Sequence, residues 1–537
     1  MLFFPSLFRL LAVTVLLGLF TACNRTSPVD QARAENTLLI TVGTEPSSLD
    51  PHRSTGAPES NIMSALWEGL IKWSEDATGF EPAAAESWEL SADDRTYTFH
   101  LRPDAKWSNG EAVTARDWVR SFQRFLTPSL GAELGNFADP IVGAKDYRLG
   151  QEKDFTKVGI REINTLTLEI ELAEPDAMFL DRLPNYPWYP VHETTVTESG
   201  DFYDPLNNFL VPGKLVSNGA FMLTQWRHDQ FVEVTANPHF YRPARLSKVR
   251  FLAMGNLDTE ERAFRSGQLH ITSGIPASKI AVYAAENNPA LHQYRRVGSR
   301  YMAFNTARAP FDDPRVRRAF AMALNRQQIT EFVLRTGGSP AYAFVGNVPT
   351  RHEPSVKVTE DIKIARALLA EAGYPDGEGL PAVEYLYNSN DRNRQVAEAV
   401  QQMWRSNLGV AVELRNEEWK VFLDSRRQGD FQISRAGWLP FSPEPAELYE
   451  LISTPSPSNE TNWSNPEYDR LIEIARREMN AEKRRELYHQ LDQILLAEMP
   501  IIPIGHYSIS LLVDPSVEGW TTNALSAYDW EKIGFKN

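Results

Sequence analysis

Apolar residues follow two different periods along this chain, and the two alternate from one segment to the next. Period-two or continuous apolar runs predict strands at 37–43, 96–102, 165–172, 383–387, 410–414 and 431–434, and a hairpin over 221–234. Spacings of three and four predict helices at 58–70, 116–125, 314–324, 361–372, 392–406, 419–427, 466–479 and 481–498. Two further short strands are predicted at 501–504 and 508–513.

This alternation of strands and helices predicts an α/β fold with mixed sheets flanked by helices. At roughly 150 residues per domain, a chain of 537 residues accommodates about three or four domains. Asp313 followed by Pro314 is typical of an N-cap and first-turn proline, which places a helix start there.

The first residues of the chain form an export signal in this interpretation. Arg9 is followed by an apolar run that ends in Thr21-Ala22-Cys23, and this run is too short for an ordinary membrane span. The ending resembles a bacterial lipobox, in which the cysteine is acylated and becomes the first residue after cleavage. Residues 1–22 are therefore predicted to be a lipoprotein signal peptide and 23–36 a linker. Ordinary secretory cleavage and an uncleaved anchor are the alternatives.

Composition excludes several other classes. Cys23 is the single cysteine, which excludes disulfides within the chain and thiolate metal clusters. The ten histidines are scattered, so no metal site or cofactor is predicted. A net charge of -15 repels nucleic-acid phosphates. Walker A, GxSxG, HExxH and GxGxxG motifs are absent, which favours a binding protein over an enzyme.

Several blocks of the sequence then resemble one family in order along the chain. They are 43–52 (GTEPSSLDPH), 82–88 (PAAAESW), 105–110 (AKWSNG), 313–317 (DPRVR) and 434–438 (SRAGW). This pattern is similar to the bacterial extracellular solute-binding proteins of the oligopeptide, dipeptide and nickel family, and within it to the oligopeptide binders. The resemblance implies a type II periplasmic binding fold of two lobes plus an extra domain, closing about a hinge like a Venus flytrap.

The same resemblance implies domain boundaries and partners. Domain I would comprise 37–66, 191–292 and 508–537, domain II 67–190, and domain III 293–507. The protein would be a monomer outside the cytoplasm, tethered to the membrane through a lipid on Cys23. It would capture an oligopeptide and deliver it to the permease and ATPase of an ABC transporter. A receptor for varied peptides must draw its affinity from backbone amides and the two charged termini.

The resemblance also assigns ligand-binding residues one at a time. Trp419 and Trp438 match pocket tryptophans, Arg426 and Arg435 match basic groups for the ligand's carboxylate, and Asn388 matches a site asparagine. Gly437 and Ala57 belong to the same matched motifs. Without the family match, ordinary core packing explains the tryptophans and a solvated edge explains the arginines equally well.

Three positions depart from the family pattern. Phe441 stands where an aspartate holds the peptide's α-amino group, Thr55 where the family has a glutamate, and Asn393 where it has a histidine. The ligand is therefore either a peptide held by Glu444 in a shifted pose, with Glu447 close by in sequence, or a ligand without a free α-amine.

Other functions remain open at this point. The family also contains nickel and haem-type binders, and a protein of this fold can serve a sensor rather than a permease. A secreted hydrolase with a convergent dyad is the alternative from another class. Incubating a peptide with the protein and looking for cleavage separates a hydrolase from a receptor, and a permease and ATPase pair encoded beside it favours transport.

Overall fold

The computed structural model describes residues 27–346, 348, 351–440, 442–521, 523–525 and 527–536. Cys23 and the predicted signal peptide lie outside these residues, as does Phe441. The α-helices within the described residues, numbered α1 to α15 in chain order, are Pro28–Ala34, Ala57–Leu66, Ala115–Leu126, Ala144–Arg148, Phe179–Arg182, Glu193–Glu198, Leu257–Arg265, Ala277–Ala285, Pro314–Met322, Ile362–Glu371, Asp391–Leu408, Trp419–Arg427, Ala446–Glu450, Pro466–Arg477 and Ala481–Glu498.

Strands alternate with these helices, as the sequence pattern predicts. Numbered β1 to β17 within the described residues, they are Thr37–Gly43, Ile71–Trp73, Phe80–Pro82, Ala85–Leu90, Thr96–Leu101, Ile160–Asn164, Thr167–Glu171, Phe221–Arg227, Phe231–Ala236, Lys248–Ala253, Leu291–Phe304, Val383–Asn388, Val412–Glu417, Ile433–Trp438, Ile501–Leu512, Val517–Glu518 and Gly534–Phe535.

Of the three larger sheets in the described residues, two mix parallel and antiparallel neighbours, which confirms the predicted fold class, and the sheet of β4 to β7 is antiparallel throughout. Their strand orders are β1-β10-β9-β8, β4-β5-β7-β6 and β13-β12-β14-β11-β15. In the last sheet β12 runs parallel to β13 and β14, whereas β11 runs antiparallel to β14 and β15. Asp313 caps α9 as predicted, because its carboxylate accepts a hydrogen bond of 2.8 Å from the backbone N–H of Arg315.

The two short strands predicted at 501–504 and 508–513 are wrong, because β15 runs without interruption from Ile501 to Leu512. Its middle is polar and interrupts the apolar pattern, but the backbone stays extended because β11 pairs with it. The register shifts in two places: between the pairs Arg300–Gly505 and Tyr301–Pro503, and between the pairs Arg295–Ser508 and Ser299–His506. Residues 296–298 therefore face a single residue of β15, which is a bulge.

Buried apolar residues gather in separate clusters. One combines residues from 38–67, 186–271 and 511–533, and a second lies wholly within 70–188. Two more occupy the β13-β12-β14-β11-β15 sheet region, with all residues but Met178 between 301 and 504. β11 and β15 extend across the boundaries predicted at 292/293 and 507/508, so they are the long strands that join the first cluster to the last two.

A buried charge cluster ties α3 to the chain after β1. The Arg124 guanidinium is completely buried and donates to both carboxylate oxygens of Asp50, at 2.9 and 2.6 Å. It also donates to Nδ1 of His52 at 2.9 Å and to the carbonyl of Phe202 at 2.9 Å. Burial alone would raise the pKa of the Asp50 carboxyl, but Arg124 holds that pKa below its usual value.

Two buried histidines are held neutral in the fold. Nε2–H of His52 donates to the carbonyl of Tyr189 at 3.1 Å, while its Nδ1 accepts from Arg124. Nδ1 of His270 accepts from the backbone N–H of Leu39 at 3.0 Å. Burial lowers the pKa of His52 to about 3 and that of His270 to about 4.

We therefore expect the protein to lose stability in mild acid. Both folded pKa values lie below the ordinary value of 6.5, so the unfolded chain binds more protons and the free energy of unfolding falls as pH drops below 6.5. Each histidine should account for about 2 kcal/mol between pH 7 and pH 5. Urea unfolding of His270→Asn should show a flatter pH dependence, because Oδ1 of asparagine can replace Nδ1 as acceptor. The matched control is His228→Gln, because the His228 side chain is 78% exposed. It should leave the pH dependence of unfolding unchanged.

Candidate functional site

The pairing of β11 with β14 brings several sequence-predicted residues together. Arg300 lies opposite Gly437 and Met302 lies opposite Arg435. Because side chains alternate across a sheet, Arg300, Arg435 and Gly437 share the face on which Met302 lies, while Trp438 belongs to the other face. The site on this face therefore includes two predicted residues and one, Arg300, that sequence reasoning missed.

Gly437 leaves room for an aromatic side chain. A Cβ at this position would collide with the hydroxyl of Tyr507, whose side chain lies over the glycine. The Arg300 guanidinium lies over the same ring, 4.0 Å from its centroid. Tyr507 is the single residue of β15 that faces the bulge at 296–298. The glycine thus permits a close approach, and Tyr507 and Arg300 form a cation–π pair beside the bulge.

Asn388 and the start of α11 lie next to this pair. Asn388 is the last residue of β12, and the Nδ2 of Asn393 donates to its Oδ1 at 2.9 Å. Asn390 caps α11 by accepting from the backbone N–H groups of Arg392 and Asn393. Burial lowers the pKa of the Arg300 guanidinium, and the positive charges of Arg435 and Arg392 lower it further, although Tyr507 raises it. Arg300, Arg392 and Arg435 are called the arginine cluster below.

Arg426 and Trp419 lie on α12, away from this cluster. The Arg426 guanidinium forms an ion pair with Glu460 and lies 5.5 Å from the ring centroid of Phe422. Trp419 is 48% exposed and stacks on Phe422 at 5.7 Å. Arg426 therefore already has a counter-charge within the protein, whereas Trp419 offers a free aromatic surface.

Glu444 is occupied by internal contacts. Its side chain is buried, its Oε2 accepts from Nη1 of Arg351 at 2.9 Å, and its Oε1 accepts from the hydroxyl of Tyr488. The same Arg351 nitrogen donates to Asp181 at 2.9 Å, and Nε of Arg484 lies 3.4 Å from Glu444. In this arrangement both carboxylate oxygens have partners. Through Arg351, Glu444 connects the chain before α13 to Asp181 of α5.

Two cavities flank the strands of the site. One, of about 710 Å³, is lined by Thr55, Gly56, Arg296 and Leu439 among others. Thr55 is exposed there, and Ala57 is the first residue of α2. The other, of about 930 Å³, is lined by Trp438 and by several acidic side chains. Those acidic side chains are Asp139, Glu174, Asp176, Asp181, Glu444, Glu447, Glu450, Asp469 and Glu473.

Trp438 lies between the arginine cluster and the second cavity. Its indole N–H donates to Oε1 of Glu447 at 2.9 Å. Arg435 precedes it by three residues on β14, and a strand rises about 3.3 Å per residue. Since side chains alternate along a strand, Arg435 and the Trp438–Glu447 pair lie on opposite faces of β14. Among the described residues, no group of three or more histidine, aspartate or glutamate side chains is arranged to hold a metal ion.

Comparisons with known proteins agree with this architecture. The profile of "Bacterial extracellular solute-binding proteins, family 5 Middle" matches residues 79–460. The chain belongs to this family. It is 32% identical to the periplasmic murein peptide-binding protein MppA of Escherichia coli (strain K12) over 489 residues, 89% of each chain. It is also 32% identical to the periplasmic oligopeptide-binding protein OppA of Salmonella typhimurium over 507 residues, 91% of each chain.

Solved structures show the same fold. The unliganded open form of the murein tripeptide-binding protein MppA superposes with a TM-score of 0.81 at 31% identity, covering 93% of this chain and 97% of that one. The OppA of Haemophilus influenzae in complex with RPPGFSPFR gives a TM-score of 0.75 at 30% identity, covering 93% and 99%. The type II periplasmic binding fold implied by the sequence is confirmed. Within the described residues no helix is both long and apolar enough to span a bilayer.

Proposed function

We propose that the protein is the substrate-binding component of an ABC transporter and captures extended oligopeptides for import. The observation that carries this proposal is Arg435, which has no ion pair with a carboxylate among the described residues and lies on the same strand face as Gly437. A guanidinium without an internal counter-charge can bind a peptide's carboxylate, and neighbouring backbone groups can pair with its amides. Relatives named as peptide-binding proteins support the same proposal.

In this proposal the chain divides as the family resemblance implies. Domain I comprises 37–66, 191–292 and 508–537, domain II 67–190, and domain III 293–507. The bulge in β11 lies just beyond the boundary at 292/293, where a change of backbone angles would rotate domain III against domain I. Closure would bury the ligand between the lobes and present one shape to the permease and ATPase.

The carboxylate end of the ligand is assigned to Arg435 with Asn388, and Trp419, Trp438 and Gly437 to the walls of the cleft. Arg426 is the weaker candidate because Glu460 already neutralises it. Thr55, Ala57 and Phe441 are assigned to the side facing domain I. No cofactor or metal is part of the proposed mechanism.

A second candidate is a ligand without a free α-amine. It is favoured by the contacts of Glu444, whose carboxylate is bound to Arg351 and Tyr488 rather than facing an open site. A relative at 31% identity, the Escherichia coli protein named "Probable deoxycholate-binding periplasmic protein YgiS", carries a name that refers to a non-peptide ligand.

Acetylating the amino end of a bound tripeptide is expected to change its affinity little. An acid that held the amine would contribute a charge-assisted hydrogen bond, whose loss weakens binding about 10- to 150-fold. Since Glu444 is engaged elsewhere, we expect a change well below that range when free and N-acetylated forms are titrated by calorimetry. A loss within the range would show that an acidic residue, with Glu447 the first to test by Glu447→Gln, clamps the amine.

The protein is further proposed to bind without chemistry, as a lipid-tethered monomer outside the cytoplasm. Peptide recovered after prolonged incubation should be intact by mass spectrometry, since a receptor leaves its ligand unchanged.

Labelled palmitate should enter the wild-type protein in cells and be absent from Cys23→Ser. Incorporation into Cys23→Ser would contradict the tether.

A further inference from the structure

We propose that the arginine cluster selects ligands that carry two or more negative charges at their carboxyl end. The inference rests on the proposed function and adds a ligand class to it: peptides with an acidic C-terminal residue or a comparable diacid. It assigns roles to Arg300 and Arg392, which join Arg435 on one side of the cleft.

The first support is placement. Arg300 and Arg435 lie on the same face of adjacent strands, as diagonal neighbours two residue pairs apart in the ladder. Gly437 lies opposite Arg300, and the ring of Tyr507 packs against both the glycine and the Arg300 guanidinium. The two guanidinium groups therefore lie on one face of the sheet.

The second support is the lack of counter-charges. Within the part of the chain that the structure describes, Arg300, Arg392 and Arg435 make no ion pair with a carboxylate. Two other arginines of 293–507 have acidic partners: Arg426 pairs with Glu460, and Arg415 lies 3.3 Å from Glu384. The whole chain has 70 acidic residues against 55 basic ones, so leaving like charges together without an acid is a local exception.

The third support comes from the helix that carries Arg392. The 18-residue α11 begins at Asp391, so its positive dipole end and the Arg392 guanidinium lie together. A basic residue in a first helical turn is unfavourable unless an anion is near. Asp391 is exposed and its carboxylate lies 3.3 Å from Arg394, the nearest basic group that the structure assigns to it. An anionic ligand group would therefore relieve the repulsion between the positive end of the α11 dipole and the Arg392 guanidinium.

The chemistry follows from the shape of the groups. A guanidinium binds a carboxylate through two parallel N–H···O bonds, so one carboxylate occupies one arginine. Arg435 takes the α-carboxylate, and Arg300 with Arg392 takes a second acid on the terminal side chain. Arg296, in the bulge of the same strand, lines the adjacent cavity of about 710 Å³ and continues the positive surface away from the cluster.

The test compares Ala-Ala-Glu with Ala-Ala-Gln, which have the same shape and differ in one charge. Calorimetric titration of the full-length protein should show the glutamate peptide binding about tenfold or more tightly. In Arg300→Gln and in Arg392→Gln the two peptides should bind within about threefold of each other. Arg405→Gln, an exposed arginine on the same helix, is the matched control and should keep the full preference.

The outcomes separate this inference from the proposed function. Equal binding of both peptides to the wild-type protein would overturn the selectivity and leave peptide capture standing. Failure of both peptides to bind would overturn peptide capture and the selectivity with it. Loss of the preference in Arg405→Gln as well would show that the selectivity comes from overall charge. Because Arg392 lies at a helix start rather than inside the sheet, its variant tests the cluster even where Arg300→Gln unfolds.

Discussion

Replacing Arg435 with glutamine is expected to weaken binding of every peptide that has a free α-carboxylate by about 10- to 150-fold. Arg435 lies on the face of β14 shared with Arg300, and no carboxylate among the described residues neutralises it. The guanidinium is therefore available for a charge-assisted bond that glutamine cannot supply in full. Calorimetry on wild-type and variant protein with the same tripeptide measures the loss.

A C-terminally amidated peptide is the control for this prediction. The amide lacks the charge that Arg435 binds, so its already weak affinity should change little between wild type and Arg435→Gln. If acid and amide forms lose affinity equally, Arg435 contributes to the shape of the cleft and does not bind the carboxylate.

Replacing Arg124 with leucine is expected to lower the free energy of unfolding by about 3 to 5 kcal/mol. The substitution leaves the Asp50 carboxylate buried without its cation and removes the donors to His52 and to the carbonyl of Phe202. Residues of the predicted domains I and II meet in this cluster. The urea-unfolding transitions of the two domains should therefore shift together to lower urea concentration.

Arg116→Leu is the matched control, because Arg116 lies exposed on the same helix. It should change the free energy of unfolding by less than about 0.5 kcal/mol. Adding Asp50→Asn to Arg124→Leu should restore part of the loss, since the buried charge is then gone. A shift of less than about 1 kcal/mol in Arg124→Leu would mean that water or local rearrangement compensates for the missing arginine.

Local sequence patterns were enough to predict much of the fold. Periodicity placed α12 and α15 at the bounds that the structure shows, and it identified Asp313 as a helix cap. These features depend on residues close together in sequence. For β15 the sequence pattern predicts two strands, because the polar residues in its middle interrupt the apolar alternation. Pairing with β11 keeps the backbone extended through this polar part.

The site was less predictable because its character depends on partners distant in sequence. The predicted strand 431–434 ends before Arg435 and Gly437, whereas β14 runs from Ile433 to Trp438 and carries both. Neither spacing nor motif shows that Arg426 pairs with Glu460. Glu444 illustrates the same limit. The sequence makes it a candidate for holding the ligand's amine, yet Arg351 and Tyr488, which lie before and after it along the chain, bind its carboxylate.

Arg300 was missed for a related reason. Its strand carries Arg295, Arg296 and Arg300, but the bulge between them changes which side each arginine faces. The position of such a bulge cannot be deduced from an alternating pattern. Arginines inside an otherwise buried strand are nevertheless a signal that a charged ligand or partner lies near.

Native mass spectrometry of ligand-free protein offered an equimolar mixture of di-, tri- and nonapeptides together with deoxycholate tests the central claim most directly. The account predicts one bound peptide per protein molecule, recovered intact on denaturation. Binding of deoxycholate with no peptide bound would contradict it.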